Sequence, residues 1–220
     1  MELFMALGGV ILMDLLLAGD NAVIIALASR NLPQKKRKQA VIWGSLGAVV
    51  FRIALILVAT ELLSVPYIQF IGGLALLYIA VKLTAEKKEV HCKQAVSLPE
   101  AIKVIIMADV IMSIDNVLAI AGTATGMGGG HQALVIIVGL AVSIPFVVFG
   151  SHFILKIMDR FPVVIYAGAA VLGLAAGKMM IQDAALNVYL APYELVIEIA
   201  LTVGVVVVGY LLKMRHKKAH

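Results

Sequence analysis

Two copies of one acidic motif lie within apolar stretches of the 220-residue chain. Each copy is an Asp followed six positions later by an Asp-Asn pair, and the two copies lie 95 positions apart. The motif residues are Asp14, Asp20 and Asn21 in the first copy and Asp109, Asp115 and Asn116 in the second. A carboxylate at the centre of a membrane span costs about 3 kcal/mol, so four of them in matched pairs indicate a polar site.

The ligand atoms that these motifs offer are all oxygens: four carboxylates, two Asn carbonyls, the nearby Ser113 hydroxyl and main-chain carbonyls. Hard divalent cations such as Mg²⁺, Ca²⁺ and Mn²⁺ bind about six oxygen ligands. Zn²⁺ and Cu⁺ favour His, Cys or Met, and the motifs contain neither His nor Cys. We therefore predict that the six motif residues are ligands of a hard divalent cation, and the residues alone do not choose among the three ions.

The spacing within each motif leaves the geometry of the site open. On an unbroken helix, Asp14 and Asp20 would lie about 120° apart around the axis and about 9 Å apart along it. In one arrangement the helix is interrupted near Ala18-Gly19, which would release backbone carbonyls as further ligands. In the other arrangement each Asp meets a partner from the other copy of the motif.

A structural interpretation competes with the cation site, because Arg52, Lys82 and Lys178 also lie in apolar stretches. Buried Asp side chains could pair with these cations and hold helices together. The two Lys residues lie near the ends of their stretches, where long side chains reach the membrane surface. Arg52 lies deep, so it is the expected partner in this interpretation.

Composition indicates a polytopic membrane protein. Hydrophobic residues make up 62% of the chain and charged residues 14%, and the mean hydropathy is +1.05. A soluble domain of this size would have too little polar surface. The single Cys92 excludes an internal disulfide. The basic residues crowd short loops between apolar stretches, where they set topology and meet lipid headgroups, so the expected partner is the bilayer and not nucleic acid.

Seven stretches are long enough to span a bilayer core that needs about 20 apolar residues. They are residues 4–29, 39–61, 66–85, 101–124, 132–155, 163–181 and 192–212, all approximate. With the N-terminus outside, all but three of the 18 Lys and Arg residues fall on the cytoplasmic side. This bias predicts an all-α protein with seven transmembrane helices, one transmembrane domain over residues 1–220 and a cytoplasmic C-terminus.

An internal repeat predicts transport. Gly44 and Gly139 share the offset of 95, so spans 1–3 (about 1–86) and spans 4–6 (about 100–182) form two three-helix repeats beside a seventh helix (about 192–212). An odd number of spans per repeat inverts the second copy, as in many secondary transporters. A nucleotide-binding GxxxxGK[ST] loop and a catalytic triad are both absent from the sequence, so we expect neither an ATPase nor another enzyme, and no cofactor.

The segments LLAGDNAVIIALASRNLP and DVIMSIDNVLAIAGTA closely resemble the TerC family of integral membrane proteins, especially its compact YjbE-like members. That family is grouped with LysE-type exporters, and several TerC-type members are associated with Mn²⁺ efflux. The resemblance implies a bacterial inner-membrane location and selects Mn²⁺ from the divalent ions. Asp20, Asn21, Asp115 and Asn116 match the core of the family's motif, while Asp14 and Asp109 match its upstream acids.

The resulting hypothesis is a secondary transporter that exports Mn²⁺ through a midplane site. The expected primary ligands are Asp20 and Asp115, with carbonyl ligands from the two Asn residues. The two upstream Asp residues would be ligands or proton acceptors, and protons are the expected counter-ion. Two alternatives stay open: an exporter of a small amino acid or another cation, and a membrane assembly factor that supports metallation of secreted proteins through a partner. A homo-oligomer also stays open.

Overall fold

The computed structural model describes residues 2–57, 65–85, 97–123 and 129–218. Within its helices, side chains are described except at positions 2–6, 13, 15–18, 57, 115–123, 129–134 and 215–218. The described residues form helices and turns, without a strand. The seven long helices in these ranges are α1 (Glu2–Ser29), α2 (Gln34–Leu57), α3 (Ile68–Ala85), α4 (Leu98–Thr123), α5 (Gly129–Arg160), α6 (Val164–Gln182) and α7 (Glu194–Lys218). The prediction of an all-α protein is therefore confirmed for the described residues.

Five stretches of the described residues are long and apolar enough to cross a membrane. They are Gln34–Ile56, Ile68–Ala85, Val135–Arg160, Val164–Gln182 and Asn187–Met214. The helices that carry the acidic motifs, α1 and α4, lie outside this group, although they contain 28 and 26 residues. At about 1.5 Å per residue, both are long enough to span a bilayer core. The structure thus supports a multi-pass membrane protein, while the number seven stays a prediction.

The helices extend beyond the predicted spans at the basic ends. The second span was expected from residue 39, but α2 begins at Gln34 and includes the run Lys35–Lys38. Lys, Arg and Gln have high helix propensity, so the helix continues into the polar segment. The N–H of Arg37 donates to the carbonyl of Pro33 at 2.8 Å and closes the first turn. Residues 58–61 and 124 of the predicted spans, and Cys92, lie outside the described residues.

The helices of the first half of the chain (α1–α3) pack mainly against helices of the second half (α4–α6). The most extensive contacts join α1 to α5 and α2 to α4, and α3 packs against α6. The last helix, α7, lies against α6 and α3. Fully buried side chains in the core include Ile24, Leu76, Ile105 and Leu172. This packing places α1 beside α4, so the two acidic motifs lie on neighbouring helices.

Two glycines allow close helix approaches between the two halves. A Cβ at Gly44 of α2 would lie 2.8 Å from the Ile105 side chain of α4. A Cβ at Gly139 of α5 would overlap the Val10 side chain of α1. Small residues let backbones approach in this way in membrane helices. Gly44 and Gly139 are 95 positions apart, and so are Val10 and Ile105, so the two crossings use residues at the same offset as the acidic motifs.

Side chains from other parts of the chain cap both ends of α3. Asp183, which is buried at the end of α6, accepts hydrogen bonds from the backbone N–H groups of Tyr67 (3.3 Å) and Phe70 (3.2 Å). At the opposite end, Arg30 Nη2 donates to the Leu83 carbonyl at 2.6 Å. Helix termini leave N–H and carbonyl groups without helical partners, and these contacts satisfy some of them. They fix α3 between α6 and the turn after α1.

Candidate cation site

A guanidinium from α2 joins the two upstream Asp residues of the motifs. Arg52 Nη1 donates to Asp14 Oδ1 of α1 at 2.5 Å, and Nη2 donates to Asp109 Oδ1 of α4 at 2.5 Å. Its Nε donates to the Ser113 hydroxyl at 2.9 Å, and that hydroxyl in turn donates to Asp109 Oδ2 at 3.3 Å. All four side chains are buried. The result is a charged network that links three helices in the interior of the bundle.

The structure excludes one of the two arrangements left open by the motif spacing and shows the other for the two upstream Asp residues. The helix α1 runs without interruption from Glu2 to Ser29, and α4 runs from Leu98 to Thr123. The break near Ala18-Gly19 that the first arrangement requires is therefore absent from the described backbone. The motifs meet across the two halves instead, with Asp14 and Asp109 joined through Arg52. The structural interpretation thus correctly identified Arg52 as the deep partner.

Asp20 and Asn21 lie further along α1 and make few polar contacts. Asp20 Oδ1 accepts a hydrogen bond from the Asn21 N–H at 2.9 Å. Among the described residues Asp20 forms no ion pair, although it interacts electrostatically with Arg52 and Asp109. Asn21 is 4% exposed, and its Oδ1 has no hydrogen-bond partner among the described residues. A buried carbonyl without a partner costs about 1–3 kcal/mol, so this oxygen favours an incoming ligand.

The second copy of the motif is only partly described. The backbone at Asp115 and Asn116 belongs to α4, but their side chains lie outside the described residues, and their predicted ligand roles stay predictions. Within the described part of the chain, no group of three or more His, Cys, Asp or Glu side chains is arranged to hold a metal ion. The ligand set of six motif residues is therefore a hypothesis, of which the structure describes Asp14, Asp20, Asn21 and Asp109.

The described side chains at this position carry an excess of negative charge. Two carboxylates, from Asp14 and Asp109, contact one guanidinium, and Asp20 lies six positions after Asp14 on the same helix. The formal charge of these four side chains, when all are ionised, is −2. Isolated charge inside a membrane protein is costly, and such groups pair with each other or with a transported ion. The intramembrane Lys residues do not supply the missing charge in the described structure, because Lys82 pairs with Glu100 at 3.2 Å and Lys178 is exposed. One divalent cation would cancel the excess.

Sequence reasoning missed two charged residues with structural roles. Asp183 and Arg30 are both buried, and each caps an end of α3. Their partners lie 116 and 53 positions away, so no local pattern identifies the contacts. The only signal was the position of each residue at the end of an apolar stretch. Both residues stabilise the bundle and lie outside the charged network around Arg52.

Comparisons with known proteins agree with the motifs. A family model described as the integral membrane protein TerC family matches residues 1–220. The chain is 42% identical over 181 residues to the uncharacterized membrane protein YjbE of Bacillus subtilis (strain 168), covering 82% of this chain and 81% of that protein. It is 26% identical over 178 residues to the UPF0053 inner membrane protein YgdQ of Escherichia coli (strain K12), covering 72% and 73%. No solved structure gives a significant match.

These matches confirm the family that the GDN and IDN segments predicted. The family model covers both copies of the acidic motif and the basic loop after α1. The long apolar helices are those of a multi-pass integral membrane protein, and the relatives carry names of the same kind. The chain therefore belongs to the integral membrane protein TerC family.

Proposed function

We propose that the protein is a secondary transporter that exports a divalent cation, Mn²⁺, from the cytoplasm through the acidic site between α1 and α4. The observation that carries this proposal is the buried network in which Arg52 joins Asp14 and Asp109 while Asp20 forms no ion pair with any described residue. A purely structural network of ionised groups would need equal numbers of opposite charges or a protonated carboxylate, because an unpaired buried charge is destabilising. The excess of carboxylates suits a site that binds and releases a cation.

The ligands of the cargo would come from both copies of the motif. Asp20 and Asp115 are the proposed primary ligands, and the side-chain carbonyls of Asn21 and Asn116 complete an oxygen set. The partner-free Oδ1 of Asn21 supports this assignment, because it offers a buried carbonyl that no described protein donor satisfies. Mn²⁺ accepts such a set, and the choice of Mn²⁺ over Mg²⁺ or Ca²⁺ rests on the resemblance to the family. Protons are the proposed counter-ion.

Two inverted repeats of three spans, with a seventh helix at the periphery, provide the proposed route for alternating access. Exchanging α1 with α4 and α2 with α5 converts the α1–α5 contact into the α4–α2 contact, and these are the two most extensive interfaces. The glycine crossings at Gly44 and Gly139 exchange in the same way. This agreement supports the proposal that the sequence repeat corresponds to two sets of equivalent helices. Inverted repeats that exchange conformations open a central site to each side in turn.

The proposed orientation places the N-terminus outside and the C-terminus in the cytoplasm of a bacterial inner membrane. The exposed run Lys35, Lys36 and Lys38 at the start of α2 supports this orientation, because cytoplasmic loops are enriched in Lys and Arg. Arg37 and Asp159 form an ion pair of 2.6 Å at the same end of the bundle. The site between α1 and α4 would then receive its cation from the cytoplasmic side and release it outside.

A flux assay tests the proposal. The purified protein is reconstituted into liposomes, and Mn²⁺ entry is followed with a quenched fluorophore for the wild type, Asp20→Asn and Asp115→Asn. Each substitution removes a proposed ligand charge with little change in volume, so flux should fall at least about tenfold, the effect of losing about 1.4 kcal/mol. Asp159→Asn is the matched control, because Asp159 is exposed and pairs with Arg37 away from the site. Equal flux in all four proteins would refute the proposed cation path.

A further inference from the structure

Arg52 breaks the repeat at the point where the two halves meet. The Asp residues that it contacts are equivalent, 95 positions apart, but the position equivalent to Arg52 is Val147. The guanidinium donates to both Asp residues at the same distance of 2.5 Å. One repeat thus supplies a single cation to a pair of equivalent carboxylates, one from each repeat.

A single guanidinium neutralises only one of the two carboxylates that it contacts. One negative charge of the network around Arg52 therefore stays uncompensated unless a second positive charge is nearby or one carboxylate is protonated. A divalent cation at the site would meet the same electrostatic demand. A guanidinium and a metal ion about 4–5 Å apart repel each other strongly in a buried environment, so the two cations compete for the same carboxylates.

The covalent attachment of Arg52 distinguishes it from a mobile counter-ion. Its side chain comes from α2, which packs against α4 and contacts α5 and α1, so the charge stays at the site when a transported ion leaves. A carrier that releases its cargo must return without the metal ion, and any buried carboxylate that the counter-ion protons leave ionised would oppose that return. A charge held on the protein removes part of this barrier.

Given the divalent-cation transport proposed above, on which this inference rests, we propose that Arg52 is a tethered counter-cation. It pairs with both Asp14 and Asp109 when no metal ion is bound, and it releases at least one of these carboxylates when the cation binds. Arg52 is thus a positioning and affinity-setting residue, and it allows the empty transporter to return. Without Arg52, the site would bind cations more tightly, but the transporter without bound metal would change back slowly to the conformation that accepts the next cation.

Two measurements on the full-length protein separate this role from a structural clamp. The first is the Kd for Mn²⁺ in detergent. The second compares exchange, with Mn²⁺ on both sides of the liposome membrane, with net efflux into metal-free buffer. In Arg52→Gln we expect the Kd to fall at least about tenfold, since a competing charge at contact distance is removed. Exchange should stay within about threefold of the wild type, while net efflux should fall at least about tenfold.

Arg52→Lys keeps the charge but loses the forked contact, so it should retain net efflux better than Arg52→Gln. Arg37→Gln is the matched control and should leave Kd, exchange and net efflux unchanged, because Arg37 lies in the first turn of α2, paired with Asp159. A Kd in Arg52→Gln that is unchanged or raised would overturn the proposal. So would a parallel loss of exchange and net efflux, or the failure of both Arg52 variants to fold, since each is the result of a clamp.

The same experiment distinguishes failure of this inference from failure of the proposed function. If the wild type neither binds nor exchanges Mn²⁺, the proposed function is wrong, and the role of Arg52 in transport is wrong with it. If the wild type binds and transports Mn²⁺ but Arg52→Gln has the same ratio of exchange to net efflux, only the tethered counter-cation is wrong.

Discussion

The charged network around Arg52 predicts that its members contribute unequally to stability. Arg52→Gln leaves Asp14 and Asp109 as two buried carboxylates without their shared cation. Asp14→Asn has the opposite effect, because it removes the excess carboxylate and leaves Arg52 in a balanced pair with Asp109. The Asn side chain also keeps an oxygen where Asp14 Oδ1 now accepts from Arg52 Nη1 at 2.5 Å.

The magnitudes follow from the number of charged contacts that each change removes. Arg52 makes three hydrogen bonds to described side chains, two of them to carboxylates, and removing one partner of a buried ion pair costs about 3–5 kcal/mol. Asp14→Asn weakens one charged hydrogen bond, a loss of about 1–2 kcal/mol, which the relief of the charge excess partly offsets. For a chain of this length, 1 kcal/mol corresponds to about 2–4 °C in Tm. We therefore expect a loss of about 10 °C in Arg52→Gln and under about 4 °C in Asp14→Asn.

Thermal unfolding in detergent, followed by intrinsic fluorescence or circular dichroism, measures this difference. Saturating Mn²⁺ should restore part of the lost Tm in Arg52→Gln, because a ligand that binds only the folded state stabilises it. Asp109→Asn should be slightly more destabilising than Asp14→Asn, since Asp109 also accepts a hydrogen bond from Ser113. An equal loss of Tm in Arg52→Gln and Asp14→Asn would refute the reasoning, because it would mean that the network carries no excess of negative charge.

Three further predictions concern separate parts of the molecule. Gly44→Ala places a Cβ 2.8 Å from Ile105 and should cost about 1–3 kcal/mol in unfolding measurements, whereas Gly204→Ala, whose Cβ would meet no described atom beyond its own helix within 4 Å, should cost nothing measurable. Asp183→Ala removes the acceptor at the start of α3 and should cost about 1–2 kcal/mol without changing the Kd for Mn²⁺; a changed Kd at unchanged Tm would contradict its structural role. Asn21→Ala removes an oxygen that has no partner among the described residues, so it should raise the Kd for Mn²⁺ about tenfold at nearly unchanged Tm. If Asn21→Ala alters the size preference for organic substrates and not the Kd for Mn²⁺, the alternative cargo is favoured.

The helical class and the presence of buried acidic residues could be predicted from the sequence, because both depend on local patterns. Apolar stretches of bilayer length identify the helices, and an acidic residue inside such a stretch stands out from its surroundings. The offset of 95 between Asp14 and Asp109 also relates α1 to α4 through the repeat. The segments around Asp20 and Asp115 identify the family, which the family model confirms.

The partners of these residues could not be predicted, because they depend on how the helices cross. Nothing local to Arg52 indicates that its two Nη atoms reach one Asp from each half, and this contact exists because α2 packs against α4 near α1. The caps by Asp183 and Arg30 are long-range in the same way. The start of α2 at Gln34 was missed because the hydropathy pattern identifies only the apolar part of a helix, whereas α2 continues into the polar segment before it.

The most direct test of a cation site between the two motifs is to locate the bound ion. Anomalous diffraction at the manganese absorption edge, from crystals grown with Mn²⁺, would give the ion's position independently of any transport assay. We expect one peak between α1 and α4, within ligand distance of the carboxylate of Asp20 and the side-chain oxygen of Asn21. A peak elsewhere in the protein, or none at a saturating concentration of Mn²⁺, would contradict the account.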